Sequence, residues 1–214
     1  MISLLIFENK PIWEQLELEE KLLRQDTRNW VIINHGSPKA IVMGIGAKPE
    51  EVCDIAKVKQ DNIPLLQRFT GGGTVIIDEE TLFVTFIFQK ETVPIQLYPK
   101  PILEWTFSQI KQALPILSLQ GNDFALGNQK VAGNAQYIRK DRWLHHTSFL
   151  WDFDPANMSY LLHPPKEPAY RKGRPHTDFL TKLAPHASKE EFIQNLLVTL
   201  SSKFYINHNQ LIIN

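Results

Sequence analysis

The chain carries a single cysteine, Cys53, among 214 residues. This excludes an internal disulfide and any zinc site built from several thiolates, and it suits a reducing compartment. Charge of one sign in excess is also missing: 23 Lys and Arg balance 23 Asp and Glu, so no global field is available to hold a polyanion such as DNA. Any anion has to be bound locally. No segment approaches the roughly 20 consecutive apolar residues that cross a bilayer. Met1 to Lys10 lacks the basic start and long apolar stretch of a secretory signal. A soluble, cytoplasmic protein is the expectation. Repeats and low-complexity tracts are absent, and 43% hydrophobic with 21% charged residues suffices for one domain with a substantial core, expected to span 1–214.

Pro11 can open a helix, and Ile12, Leu16 and Leu23 recur at helical spacing through a charged stretch, which predicts an amphipathic surface helix over about 11–25. Trp30 to Asn34 and Ala40 to Met43 read as two strands around a turn, and Thr74 to Ile77 with Leu82 to Phe88 as a second hairpin turning at Asp78 to Glu80. Pro101 to Leu114 reads as a helix ended by Pro115. Gly127 and Asn128 close a tight hairpin between Phe124–Leu126 and Gln129–Ala132, so Lys130 sits just past a rigid turn. Leu144 to Asp152 continues as a strand. Ser188 and Glu191 form a capping box ahead of Phe192, Leu196 and Leu200, and Gln210 to Ile213 reads as a terminal strand. Hairpins with interspersed helices imply an α+β fold with a mixed or antiparallel central sheet.

Two nucleotide motifs are missing. No Gly-Lys-Ser/Thr follows the glycines at Gly71 to Gly73, and Pro49 stands where a dinucleotide fingerprint starting at Gly44 needs its third glycine. What is present is Arg68-Phe69-Thr70-Gly71-Gly72-Gly73-Thr74, whose glycines let backbone amides approach an anion beside a fixed cation; alone, it reads equally as an ordinary connector. Next come Asn122-Asp123 and Lys130-Val131-Ala132-Gly133-Asn134-Ala135, where a positioned lysine beside a glycine suits a phosphate clamp, or is simply a solvated strand lysine. Last is His145-His146-Thr147-Ser148. Adjacent strand residues point to opposite faces, so at most one histidine faces a given pocket.

In this order the segments resemble the lipoate-protein ligase family, within the biotin and lipoate protein ligase superfamily, over roughly residues 30–183. Its members carry Arg-x-x-Gly-Gly-Gly, an Asn-Asp pair, Lys-Val/Ile-x-Gly-x-Ala and His-His-Gly-Thr. The resemblance implies a central mixed sheet packed by helices, as in the biotin ligase catalytic domain. It also implies two steps: lipoate or octanoate and ATP give acyl-AMP and pyrophosphate, then a carrier lysine takes the acyl group. Both steps build negative charge that a preorganised cation and amide donors would stabilise. By resemblance Lys130 bridges phosphate and acyl oxygen; Arg68, Thr70, Gly71, Gly72, Gly73 and Thr74 close over the acyl end; Asn122 and Asp123 orient Lys130 or a Mg2+ ion; and Gly133, Ala135 and His146 line the pocket. Phe69, Val75 and Phe86 are the expected walls for the acyl chain. Arg171 and Arg174 lie where the family has an adenylate-covering loop and are candidates for gripping phosphate. The implied partners are lipoyl domains of 2-oxoacid dehydrogenase complexes or the glycine cleavage H protein.

Three departures stand out. Gln67 replaces an arginine often found before Arg68, Thr147 replaces the glycine after the histidines, and the smaller carboxy-terminal domain of many bacterial ligases has no counterpart in this sequence. A separate accessory-domain protein is therefore a candidate partner. Rival readings are transfer from ready-made acyl-AMP, a non-catalytic lipoate-binding subunit, and a thiol-dependent octanoyltransferase. Cys53 is a poor nucleophile for the last, since Glu50 and Glu51 beside it should raise its pKa.

Overall fold

The computed structural model describes residues 1–207, and the expected strand at Gln210 to Ile213 lies outside them. The strands are β1 (Ile2–Glu8), β2 (Trp30–His35), β3 (Ala40–Met43), β4 (Leu65–Gln67), β5 (Val75–Ile77), β6 (Leu82–Gln89), β7 (Ser118–Gln120), β8 (Asp123–Leu126), β9 (Gln129–Ile138), β10 (Arg142–Phe149) and β11 (Ile206–Asn207). The helices are α1 (Ile12–Gln25), α2 (Pro49–Val52), α3 (Ile55–Gln60), α4 (Pro99–Ala113), α5 (His176–Phe179) and α6 (Lys189–Ser201). An eight-stranded sheet runs β11-β1-β2-β6-β10-β9-β8-β7, and a separate three-stranded sheet runs β4-β3-β5. In the large sheet β11, β1 and β2 are parallel and every later pair is antiparallel, so the expected mixed α+β sheet is the observed one. Among the described residues no helix is long and apolar enough to cross a membrane.

Both early hairpins require correction. β2 pairs with β1 and β6, while β3 pairs with β4 and β5, so the chain changes sheets between β2 and β3 and again between β5 and β6. The reason is burial. Trp30 to Asn34 is buried throughout, as befits a central strand flanked on both edges rather than a hairpin arm with one wet face. By contrast, the Gly127-Asn128 turn joins β8 and β9 as read, with Leu126 opposite Gln129. Ser188 caps α6 by accepting the Glu191 amide at 3.2 Å.

The two faces of the large sheet differ. One is covered by α4 and α6, and there Phe86, Phe88, Trp105 and Trp143 form one group of aromatic contacts and Phe149 with Phe192 a second, with centroids 5.3–5.8 Å apart where they meet. Phe86 belongs to this core, so the expectation that it walls a ligand pocket is withdrawn. On the other face lie α1 and, beside it, the small sheet, whose Ala40, Val42 and Ile77 pack with Ile12, Leu16 and Phe83. α1 does not merely ride on the surface: Gln15 and Glu19 are wholly buried beneath it.

Candidate active site

The site is organised by one irregularity in β9. Ala125 of β8 pairs with Lys130, but Phe124 pairs with Ala132, so Val131 is an extra residue in the ladder. Because side chains alternate with period two, one inserted residue moves everything before it to the other face. Val131 and Ala132 both join the α4/α6 core. Lys130 is thereby turned to the face that Gly133 shares, and its Nζ lies 3.5 Å from where a Gly133 methyl group would sit. Its backbone is held from both sides, by Ala125 and by a bridge to Leu180 in which Thr181 donates its amide to the Lys130 carbonyl at 3.0 Å.

The Lys130 ammonium is 2.8 Å from Asp123 Oδ1, with side chains 26% and 13% exposed. Tyr170 donates its hydroxyl to the other oxygen, Asp123 Oδ2, at 3.0 Å. Burial, and then the Asp123 charge, push the Tyr170 phenol well above its ordinary range, so it stays a donor. In the sequence only Arg171 and Arg174, beside it in the loop, stand out as candidates. Both Asp123 oxygens are thus committed, and among the described residues no group of three or more His, Cys, Asp or Glu could hold a metal. Of the two expected roles, orienting Lys130 or holding a magnesium ion, the structure places Asp123 in contact with Lys130 as its counter-charge.

The glycine strap meets β9 at the same place. Gly72 has φ +112°, open only to glycine, and a methyl there would fall 3.1 Å from the Asn134 carbonyl oxygen and 3.7 Å from Ala135 Cα. Gly44 makes the other close approach, since a methyl on it would lie 2.1 Å from the Gly72 oxygen. That glycine was noted in the sequence only as a failed dinucleotide motif. Arg68 is 6% exposed, and its guanidinium donates to the carbonyls of Gly73 at 2.8 Å, Gly71 at 3.1 Å and Val42 at 3.3 Å. It braces the strap instead of offering a free cation. Burial lowers its pKa to about 10, partly opposed by Glu19, so it remains charged at neutral pH. Thr70 and Thr74, at the strap's two ends, have buried hydroxyls with no hydrogen-bond partner among the described residues. Phe69 and Val75 are half-buried beside Tyr137 and Phe83 respectively.

The adjacent histidines separate as alternation requires. His145 turns to the α4/α6 face, where Gln136 and Asn134 bond its two nitrogens at 2.9 and 3.0 Å. Burial, then His146, push it down to about 3, so it is neutral. Thr147 shares that face and donates to Asn134 at 2.8 Å, so its departure from glycine adds no bulk to the Lys130 face. Asn134 in turn donates to the Asn122 carbonyl at 2.9 Å, fixing the Asn122-Asp123 turn. His146 points the other way and places Nδ1 2.9 Å from the buried Glu19. Glu19 also accepts from Thr85 at 2.7 Å and Gln15 at 2.8 Å. Burial alone would raise the Glu19 pKa, yet it is lowered because its electrostatic pairing with His146 and these three hydrogen bonds outweigh desolvation. No sequence signal marked Glu19, which lies in a run of surface-type residues.

The covering-loop arginines are used differently from one another. Arg174 donates to the carbonyls of Asn128 at 2.7 Å and Tyr170 at 2.9 Å, pinning the loop to the hairpin and leaving it poorly placed to grip phosphate. Arg171 is buried with one terminal nitrogen unbonded among the described residues. His176, near Lys130 and Arg171, is pushed down to about 4, first by burial and then by these cations. Cys53 is buried and its thiol is raised by burial; the neighbouring carboxylates are not the cause.

Comparison with known proteins gives a consistent picture. A family model described as the lipoyl protein ligase A/B catalytic domain matches residues 11–204. A Plasmodium falciparum (isolate 3D7) protein named inactive lipoate–protein ligase 2 is 28% identical over 235 residues, covering 80% of this chain and 60% of its own length. The chain therefore spans about three fifths of that relative. The ligase from an archaeal lipoylation system of Thermoplasma acidophilum, described with its E2 lipoyl domain, superposes with a TM-score of 0.81 at 19% identity, over 99% of this chain and 87% of the other. A lipoate-protein ligase A bound with ATP gives 0.79 at 19% identity, over 99% and 89%.

Proposed function

Since the chain belongs to the lipoyl protein ligase A/B catalytic-domain family, we propose that it activates lipoate or octanoate with ATP to acyl-AMP and passes the acyl group to a lysine of a lipoyl carrier domain. The observation that carries this reading is the meeting of Lys130 and the glycine strap at Gly133 to Ala135 of β9. A half-buried ammonium, held by Asp123, which itself accepts from Tyr170, lies beside Gly133, and Gly72 of the strap packs against Asn134 and Ala135 of the same strand. Charge that develops on a phosphate and an acyl oxygen would be met there by donors already in place, which avoids reorganisation during the reaction. Thr70, Thr74 and Arg171 have spare hydrogen-bonding capacity for the adenylate. Phe69 and Val75 offer apolar surface for the acyl chain. Magnesium enters this reading only as the counter-ion of ATP. The ATP-bound ligase and the archaeal ligase with its lipoyl domain support the choice of nucleotide and carrier by analogy.

The test is pyrophosphate release with lipoate or octanoate and ATP. Lys130→Ala should lower it by about 1,000-fold or more, the scale expected for losing a preorganised charge. Its circular dichroism and melting should stay near those of the native chain, because Tyr170 still donates to Asp123. Retained turnover refutes the reading. A second reading, transfer from ready-made acyl-AMP or binding alone, is favoured by the name of the 28% identical relative and by the commitment of Arg68 and Arg174 to carbonyls. Supplying presynthesised lipoyl-AMP separates the two: acyl transfer without pyrophosphate release marks a transferase.

A further inference from the structure

β10 is buried along its whole length except at Ser148, which is half-buried. Ser148 is two residues from His146 and so shares its face, and its Oγ lies 3.3 Å from His146 Nε2. The opposite imidazole nitrogen, Nδ1, is 2.9 Å from the Glu19 carboxylate. That acceptor fixes the proton on Nδ1 and leaves Nε2 free to take one from the serine. A hydroxyl, an imidazole and a buried carboxylate in this order are a nucleophile, its base and the group that orients the base. The 3.3 Å separation is long for a hydroxyl donor but within what such pairs show before substrate binds.

The surroundings supply the rest. Ser148 pairs with Gly133 across the β9–β10 ladder, and paired residues project to the same face. Lys130 Nζ lies 3.5 Å from where a methyl on Gly133 would sit, so the ammonium stands on the serine's face of the sheet, next to the residue that pairs with Ser148. We propose that Ser148 is an acyl-accepting nucleophile, and that the chain carries its acyl group as a serine ester between activation and transfer. This rests on the acyl-adenylate reading above. In the first step Ser148 Oγ bonds to the acyl carbon and its proton passes to His146 Nε2. The bond from that carbon to the phosphate oxygen breaks, and AMP leaves with the electron pair. Lys130 meets the oxyanion of the tetrahedral intermediate. In the second step a carrier amine, or water, attacks the ester carbon. The carbon–Oγ bond breaks, His146 returns its proton to Oγ, and the attacking group's surplus proton goes to solvent. No oxidant or further reactant is needed.

The test uses the full chain and p-nitrophenyl octanoate, an activated ester that requires neither ATP nor carrier. Peptide mapping should find a hydroxylamine-labile octanoyl ester on the peptide bearing Ser148, with a matching burst of p-nitrophenol. Ser148→Ala should lower the burst by about 1,000-fold, while Ser148→Cys should restore the adduct as a thioester, which shows that the site is intact. Labelling that survives Ser148→Ala, maps to Lys130 or His146, or never forms in the native chain overturns the proposal. A chain that releases pyrophosphate but carries no ester keeps the ligase reading and loses this one. A chain that forms the ester but releases no pyrophosphate does the reverse.

Discussion

The two faces of the large sheet are built to opposite rules. Toward α4 and α6 the sheet presents apolar and aromatic side chains, and its polar residues there, His145, Thr147 and Asn134, satisfy one another. Toward α1 it presents Thr85, His146, Ser148 and the redirected Lys130, with Glu19 buried above them and Arg68 beneath the strap. Burying ionised groups is costly, and replacing such groups by apolar ones of similar shape is often neutral or stabilising. A face that retains a buried carboxylate, a buried guanidinium and a half-buried ammonium gives up stability that the opposite face supplies. The aromatic face holds the sheet rigid, and the charged face uses that rigidity to keep its groups in place.

The sharpest way to break this contrast is to cut into the aromatic face. Phe149→Ala, which empties the centre of the Phe124–Phe149–Phe192 contacts, should cost about 3–5 kcal/mol in chemical denaturation. The folded fraction should keep its activity per molecule; an equal loss of both would show that the faces are not separable. On the charged face, Asp123→Asn removes the lysine's counter-charge but keeps a group that Tyr170 can bond. Pyrophosphate release should fall by about 10- to 100-fold through misplacement of Lys130, about 1.4–2.7 kcal/mol in barrier, with little change in melting. The reverse pattern would assign the pair to stability.

Acidification sharpens the comparison from the stability side. His145 and His176 are pushed down to about 3 and about 4 in the folded protein. Between those values and the ordinary histidine pKa of about 6.5, the unfolded chain binds more protons than the native one. Their contribution is therefore present above about pH 6.5 and is lost as pH falls toward 4 and then 3. Glu19, whose pKa is lowered, adds a loss of the same sign that begins as pH falls through the ordinary glutamate range. Melting temperature should decline over this window, and His145→Gln should flatten the slope; an unchanged slope would mean that the histidine is not held neutral. The smallest effect is expected at Cys53, buried among Met43, Val58 and Phe153 away from both faces. Cys53→Ala should cost about 1 kcal/mol and leave acyl transfer intact, and complete loss of transfer would revive a thiol mechanism.

Local physics made part of this legible in the sequence. The Gly127-Asn128 turn, the helix read at Pro101 to Leu114 and observed over Pro99–Ala113, and the Ser188 cap follow from backbone conformations that neighbouring residues alone dictate. The ordered motifs carried the family as well. Three features were decided only in the folded chain. Lys130 shares the face of Gly133 because Val131 is an extra residue in the pairing with β8, and period-two alternation turns a single insertion into a change of face. Glu19 is a buried partner of His146 across 127 positions, although its own neighbourhood reads as surface. Arg68 and Arg174 spend their charge on carbonyls that only the fold brings within reach. Register, burial and pairing are properties of contacts distant in sequence, so residue types name the candidates and the tertiary structure assigns their use.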